Sequence, residues 1–88
     1  MTPTEQDKLY HFMQKVNDQY SIATQKFPAP NPNCAALTEE VGELAQALLH
    51  LREGKSNDWN RVFEEAVQVA TMAARCAIEG DATIGVVP

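Results

Sequence analysis

Glu39, Glu40 and Glu43 in one segment, and Glu65 and Gln68 in another, combine hard oxygen donors with helical spacing. The two segments are near-repeats. Leu37-Thr38-Glu39-Glu40-Val41-Gly42-Glu43-Leu44-Ala45 aligns with Val62-Phe63-Glu64-Glu65-Ala66-Val67-Gln68-Val69-Ala70. At about 100° per residue from Leu37 or Val62, the apolar stripe centres near ~20°, Glu40 and Glu65 fall near ~300°, and Glu43 and Gln68 near ~240°. Glu39, near ~200°, points away from the stripe. Both helices therefore carry acids beside their apolar stripe instead of opposite it. In an antiparallel hairpin the Glu40/Glu43 edge meets the Glu65/Gln68 edge across a groove. Carboxylates gathered beside an apolar seam raise one another's pKa by repulsion and desolvation unless a cation neutralises them. Magnesium takes few carboxylates and keeps waters or substrate oxygens, which matches Glu40, Glu43 and Glu65 with Gln68 as a neutral oxygen donor. Ala36 and Ala47 on the same edge leave room for a ligand. The competing reading is a solvated acidic face, since glutamate is a good helix former. The doubled pattern, without cations at the i+4 positions, favours the metal groove.

Three amphipathic helices are predicted to position these residues, over about residues 3–22, 34–52 and 57–79, with a short tail at 81–88. The first begins at Thr2-Pro3-Thr4-Glu5, where Thr2 caps, Pro3 suits the first turn and Glu5 completes a capping box. Leu9, Phe12, Met13, Val16 and Tyr20 form its stripe. Prolines at 28, 30 and 32 exclude helix from the following connection and favour a stiff, extended link. The second helix carries Leu37, Val41, Leu44, Leu48 and Leu51 on one stripe, with Gly54 placed to end it. Ser56 or Asn57 caps the third, which continues through Val62, Ala66, Val69, Ala73 and Cys76. The short turn between the last two makes them an antiparallel hairpin. The tail is too brief to carry much structure alone.

With 44% hydrophobic and 22% charged residues, the chain has the balance of one small globular domain, too small for a separate cofactor-binding domain and too apolar for a disordered tail. Its formal net charge of -5 argues against nucleic-acid polymers and anionic membranes as partners. No apolar run suits a membrane helix, and Met1-Thr2-Pro3-Thr4-Glu5 lacks the order of a signal peptide, so a cytoplasmic location is expected. Cys34 and Cys76 form no CxxC pair and read as structural thiols. His11 and His50 fall in no HxxxH or ExxH arrangement; they read as surface residues, and zinc or di-iron lacks its usual ligands.

The run Leu37-Thr38-Glu39-Glu40-Val41-Gly42-Glu43-Leu44-Ala45-Gln46-Ala47-Leu48, followed by Glu65-Ala66-Val67-Gln68-Val69-Ala70, resembles the MazG-like family of all-α nucleoside triphosphate pyrophosphohydrolases. The family pattern is EExxE, a spacer, then ExxD on the next helix. Glu39, Glu40 and Glu43 match the first part, and Gln68 stands where the pattern has its final aspartate. The resemblance spans about Phe27 to Glu79 and is similar to small phage-type members. It implies magnesium-dependent hydrolysis of (deoxy)nucleoside triphosphates to monophosphate and pyrophosphate, with nucleotide-pool house-cleaning as the associated role and manganese as a substitute ion. It further implies Glu40, Glu43 and Glu65 as metal ligands and Glu39 as a further ligand or base, with Glu39 and Glu40 as the catalytic pair. An amide at Gln68 offers a carbonyl oxygen but neither charge nor basicity, which weakens the metal site.

Lys26, Lys55, Arg61 and Arg75 are the cations available to phosphate oxygens. Arg61 leads them because it precedes Glu65 by one turn, its alternative being a plain ion pair with Glu65. Phe27, Tyr20 and Trp59 are candidates for the base, each with an alternative role in core or interface. Met13 and Met72 read as packing. Ala-rich seams bury little area per chain, and Leu49, Phe63 and Val67 fall off the main stripes, so a homodimer or homotetramer with a four-helix-bundle-like core is expected; the resemblance implies the same. The alternative function is a non-catalytic helical dimer that binds nucleotide or a protein partner, its chemistry lost with the Gln68 change.

Overall fold

The computed structural model describes residues 2–88 and is all-helical: α1 spans Glu5–Lys26, α2 Asn33–Arg52 and α3 Trp59–Glu79. A single 3-10 turn, Ala82–Ile84, follows. No helix among the described residues is long and apolar enough to cross a membrane.

α1 and α3 start two residues later than expected, and α2 one residue earlier. Thr4, not Thr2, caps α1: its hydroxyl accepts from the Asp7 amide at 3.0 Å while the Asp7 carboxylate accepts from the Thr4 amide at 3.0 Å. The same hydroxyl-x-x-acid signature recurs two residues on, and this copy closes the box. α1 runs on to Lys26, a full turn past Ile22, and stops where the prolines begin. Asp58 caps α3 by accepting from the Asn60 amide. Ser56 builds the approach, its hydroxyl accepting from the Asp58 amide.

α3 is the central element, with α2 packed antiparallel on one side and α1 on another. This arrangement revises the expected stripes. On α3, Val62 is buried as anticipated, but Ala73 is exposed, and Val67, Thr71, Met72 and Arg75 are buried. Their side of the helix is occupied because α1 packs there, with Phe63 stacked on His11 and meeting the Phe12 ring edge-on. On α2 the buried centre is Ala47, near ~280° and close to the phase of Glu40, while Val41 and Leu48 remain exposed. α2 is thus rotated so that its acidic edge, rather than its leucines, faces α3.

The tail carries more structure than its length suggests. Asp81 is buried, caps the 3-10 turn through the Thr83 amide, and accepts from the Cys34 amide at 2.9 Å. That bond satisfies the start of α2, which has no side-chain cap of its own. Gly80 takes φ +66, and a side chain there would strike the Val86 carbonyl. Asn33, also buried, donates to the Gly80 carbonyl at 2.8 Å. Cys34, exposed, and Cys76, half-buried, are both free thiols.

Candidate functional site

The rotation of α2 brings three carboxylates together. Ligand atoms of Glu40 and Glu43, one turn apart on α2, and of Glu65 on α3 all lie within 4.8 Å of one another. Glu40 Oε2 and Glu65 Oε2 are buried and accept no hydrogen bond. Burial raises the Glu40 pKa first, and the Glu43 carboxylate adds to it, so that Glu40 is pushed up to about 7 from an ordinary 4.5. Glu65 is raised by burial and then by Glu43, with Arg61 acting in the opposite direction. These are the signs of an acid cluster without its counter-charge.

The sign of the pH dependence follows. A carboxylate whose folded pKa is raised contributes stability below its unfolded value and loses it as pH climbs through the folded one. The metal-free protein is therefore expected to lose about 1–2 kcal/mol between pH 4.5 and pH 7 through Glu40, after allowance for solvent screening of a partly exposed group. Thermal unfolding in chelator at pH 5.5 and pH 8 checks this. A higher melting temperature at pH 8 would contradict it.

The other candidates are dispersed. Glu39 is exposed on α2 and lies outside the three. Gln68 lines an open cavity of about 580 Å³ between α1 and α3, together with Lys15, Asp18, Asn60 and Glu64. Lys55 pairs with Glu53 in the α2–α3 turn at 2.9 Å. Lys26 sits over the Phe27 ring, 5.6 Å from its centre. Tyr20 donates its hydroxyl to Glu79, and Trp59, at the start of α3, is exposed. Phe27 and Tyr20 therefore belong to the far end of α3 from Trp59, about 20 Å or more along the helix, and the three aromatics form no common pocket.

Two arginines are placed differently from expectation. Arg75, considered for phosphate, is buried and occupied by Glu79. Arg61 forms no ion pair with Glu65: the ion pairs among the described residues are Lys55–Glu53 and Arg75–Glu79. Instead Arg61 Nη1 donates to His50 Nδ1 at 3.0 Å and Nη2 to Gln46 Oε1 at 3.2 Å. His50 is thus half-buried and engaged rather than a free surface residue. Gln46 and His50 are the functional candidates that motif reading passed over. Their i, i+4 spacing on α2, continuing the line of Glu43, was the signal available.

Compared with family models, with curated proteins and with solved structures, the chain matches none. Fold and site together define an all-helical domain with a carboxylate cluster between two antiparallel helices.

Proposed function

We propose that the protein is a magnesium-dependent nucleoside triphosphate pyrophosphohydrolase. The observation that carries this reading is the pair of buried, partnerless oxygens on Glu40 and Glu65, facing Glu43 in a three-carboxylate cluster. Oxygen-only donors with an excess of negative charge fit a hard divalent ion. Glu40, Glu43 and Glu65 would hold it. When bound, magnesium neutralises polyphosphate charge and makes water a better nucleophile. Arg61, one turn from Glu65, binds phosphate oxygens, and Glu39, exposed beside the cluster, is a base candidate for the water's proton. The resemblance of the Glu39-to-Leu48 run to the MazG-like family supports the same reaction, manganese included as a substitute ion. With Gln68 turned to the α1–α3 cavity, the cluster relies on its three glutamates.

The working form is a cytoplasmic homodimer or homotetramer. The chain exposes 6262 Å², against about 5100 Å² for a compact monomer of its mass. Its radius of gyration is 14.7 Å where about 12 Å is usual for this length. Val41, Leu48 and Leu49 on α2 and Leu9 and Met13 on α1 stay exposed. A second copy covering them completes a bundle-like core. Light scattering is expected to give at least twice the 9.7 kDa chain mass; a monomer mass at micromolar concentration would contradict this.

The functional test is pyrophosphate release from a panel of standard and modified nucleoside triphosphates, with magnesium and with chelator. Magnesium-dependent release of stoichiometric monophosphate and pyrophosphate supports the reading. No release across the panel from folded protein overturns it in favour of a non-catalytic binding dimer.

A further inference from the structure

We propose that Gln46 and His50 are positioning residues that hold Arg61 as a receptor for a phosphate anion, specifically the pyrophosphate portion of a polyphosphate, at one end of the carboxylate cluster. This rests on the nucleotide-hydrolysing reading of that cluster and extends it to residues of α2.

Arg61 lies on the first turn of α3, four residues before Glu65. In a chain with 12 acidic and only 7 basic residues, the Glu65 carboxylate one turn on is near enough for Arg61 to lower its pKa, and an unconstrained guanidinium would pair with it. It does not. Its two hydrogen bonds go to neutral acceptors on α2, the His50 ring and the Gln46 amide. A guanidinium only donates, so His50 Nδ1 accepts and the ring proton sits on Nε2; the Gln46 oxygen, not its nitrogen, faces Arg61. These partners fix the direction of the side chain without a hydrogen-bonded carboxylate, Glu65 acting on it only through space. Three of its five N–H donors remain for a ligand. His50 is itself fixed, since its carbonyl accepts from the Lys55 and Ser56 amides and closes the end of α2.

Gln46 follows Glu43 by three residues and His50 follows Gln46 by four, so the acids and the Arg61 clamp lie on one line along α2, successive turns about 5.4 Å apart. A polyphosphate laid along this line has one end at the carboxylates and the other at Arg61. Arginine suits the latter because its planar fork matches phosphate oxygens and is always charged. A guanidinium paired with carboxylate would offer no such receptor. Neutral clamps keep the anion site open.

The placement of neutral acceptors yields a test with a distinctive sign. Gln46→Glu keeps the length and the hydrogen bond but supplies the missing counter-charge. If Arg61 merely clips α2 to α3, the new ion pair leaves anion binding unchanged and holds or raises the melting temperature. If Arg61 is a phosphate receptor, Gln46→Glu weakens pyrophosphate binding about tenfold or more while the melting temperature holds or rises. Arg61→Ala is expected to lose at least as much affinity, and His50→Ala and Gln46→Leu about three- to tenfold, by releasing the side chain.

The experiment is calorimetric titration of inorganic pyrophosphate into the full chain and these variants, with and without magnesium, after magnesium affinity has been measured alone. Pyrophosphate affinity in either condition that falls in Arg61→Ala and Gln46→Glu, with magnesium affinity within about twofold of wild type, supports the receptor. Pyrophosphate affinity that Gln46→Glu leaves unchanged, or no binding in either condition, overturns it. Magnesium binding with Arg61-independent pyrophosphate binding would sink this inference alone. Failure to bind magnesium, with an Arg61-dependent pyrophosphate site intact, would sink the hydrolase reading and leave the receptor standing.

Discussion

Arg75→Met is expected to lower the stability of the fold by about 2–3 kcal/mol, the cost of losing the hydrogen bonds of a buried guanidinium and leaving a part-buried carboxylate without its ion partner. Arg75 is 1% exposed, and its Nε and Nη2 donate to the two oxygens of Glu79 at 2.8 and 2.9 Å. Nη2 also donates to the Phe27 carbonyl at 2.7 Å, tying the end of α1 to α3, and the Tyr20 hydroxyl closes on Glu79 from α1. Methionine keeps most of the stem's volume, so the loss isolates the charge and its hydrogen bonds. Few apolar side chains are buried outright, namely Ala47, Val62, Val67 and Met72, so a loss of this size is a large share of a small domain's stability. At about 4–8 °C per kcal/mol for a chain of this length, thermal unfolding at fixed protein concentration reads it directly. Arg75→Met with Glu79→Leu should recover part of the loss, because both charges then leave the interior. A fall of only a degree or two in the single variant would show that the pair contributes little. Glu79 also contributes to acid sensitivity: Arg75 holds its pKa below the ordinary 4.5, so the stability it confers is present above that value and is lost as pH falls below it.

Glu40→Gln is expected to change stability and activity in opposite directions. Glutamine removes the carboxylate that burial and Glu43 push up to about 7, so the metal-free variant should unfold at a higher temperature than wild type at pH 8 and lose most of the decline between pH 5.5 and pH 8. Its magnesium-dependent turnover should fall at least about a hundredfold, since a buried charged ligand is replaced by a neutral one. Stability gained where function is lost marks a site held together against repulsion for its chemistry. A variant that loses both would point to misfolding, and one that keeps both would remove Glu40 from the site.

The helices were legible because apolar residues recur at a helical period and prolines at 28, 30 and 32 interrupt them. The convergence of Glu40, Glu43 and Glu65 was legible too, from the matched phases of the near-repeat. What periodicity could not supply was the rotation of each helix about its axis. The leucine stripe of α2 predicts Val41 and Leu48 inside, yet packing against α3 centres on Ala47, where the small side chain permits close approach; Val41 and Leu48 stay exposed while Leu37, Leu44 and Leu51 are half-buried. Arg75 was misread for a related reason: it looks like a surface cation until the tertiary partner Glu79 and the Phe27 carbonyl are in place. Asp81 and Asn33 join α2 to the end of α3 through bonds spanning 47 positions, which no local pattern encodes. The Arg61–His50–Gln46 contacts depend on the hairpin register. In each case the missing information was a contact between elements.

Glu40 and Glu65, each with a buried partnerless oxygen, are proposed to form a magnesium site with Glu43, and calorimetric titration of magnesium into wild type and Glu40→Gln at pH 7 tests this most directly. Wild type should bind saturably and release protons, because a carboxyl pushed up to about 7 is partly protonated at this pH and must lose that proton to bind metal. Glu40→Gln should bind at least about tenfold more weakly without that release. A wild-type protein that shows no saturable binding, or a variant indistinguishable from it, would contradict the account.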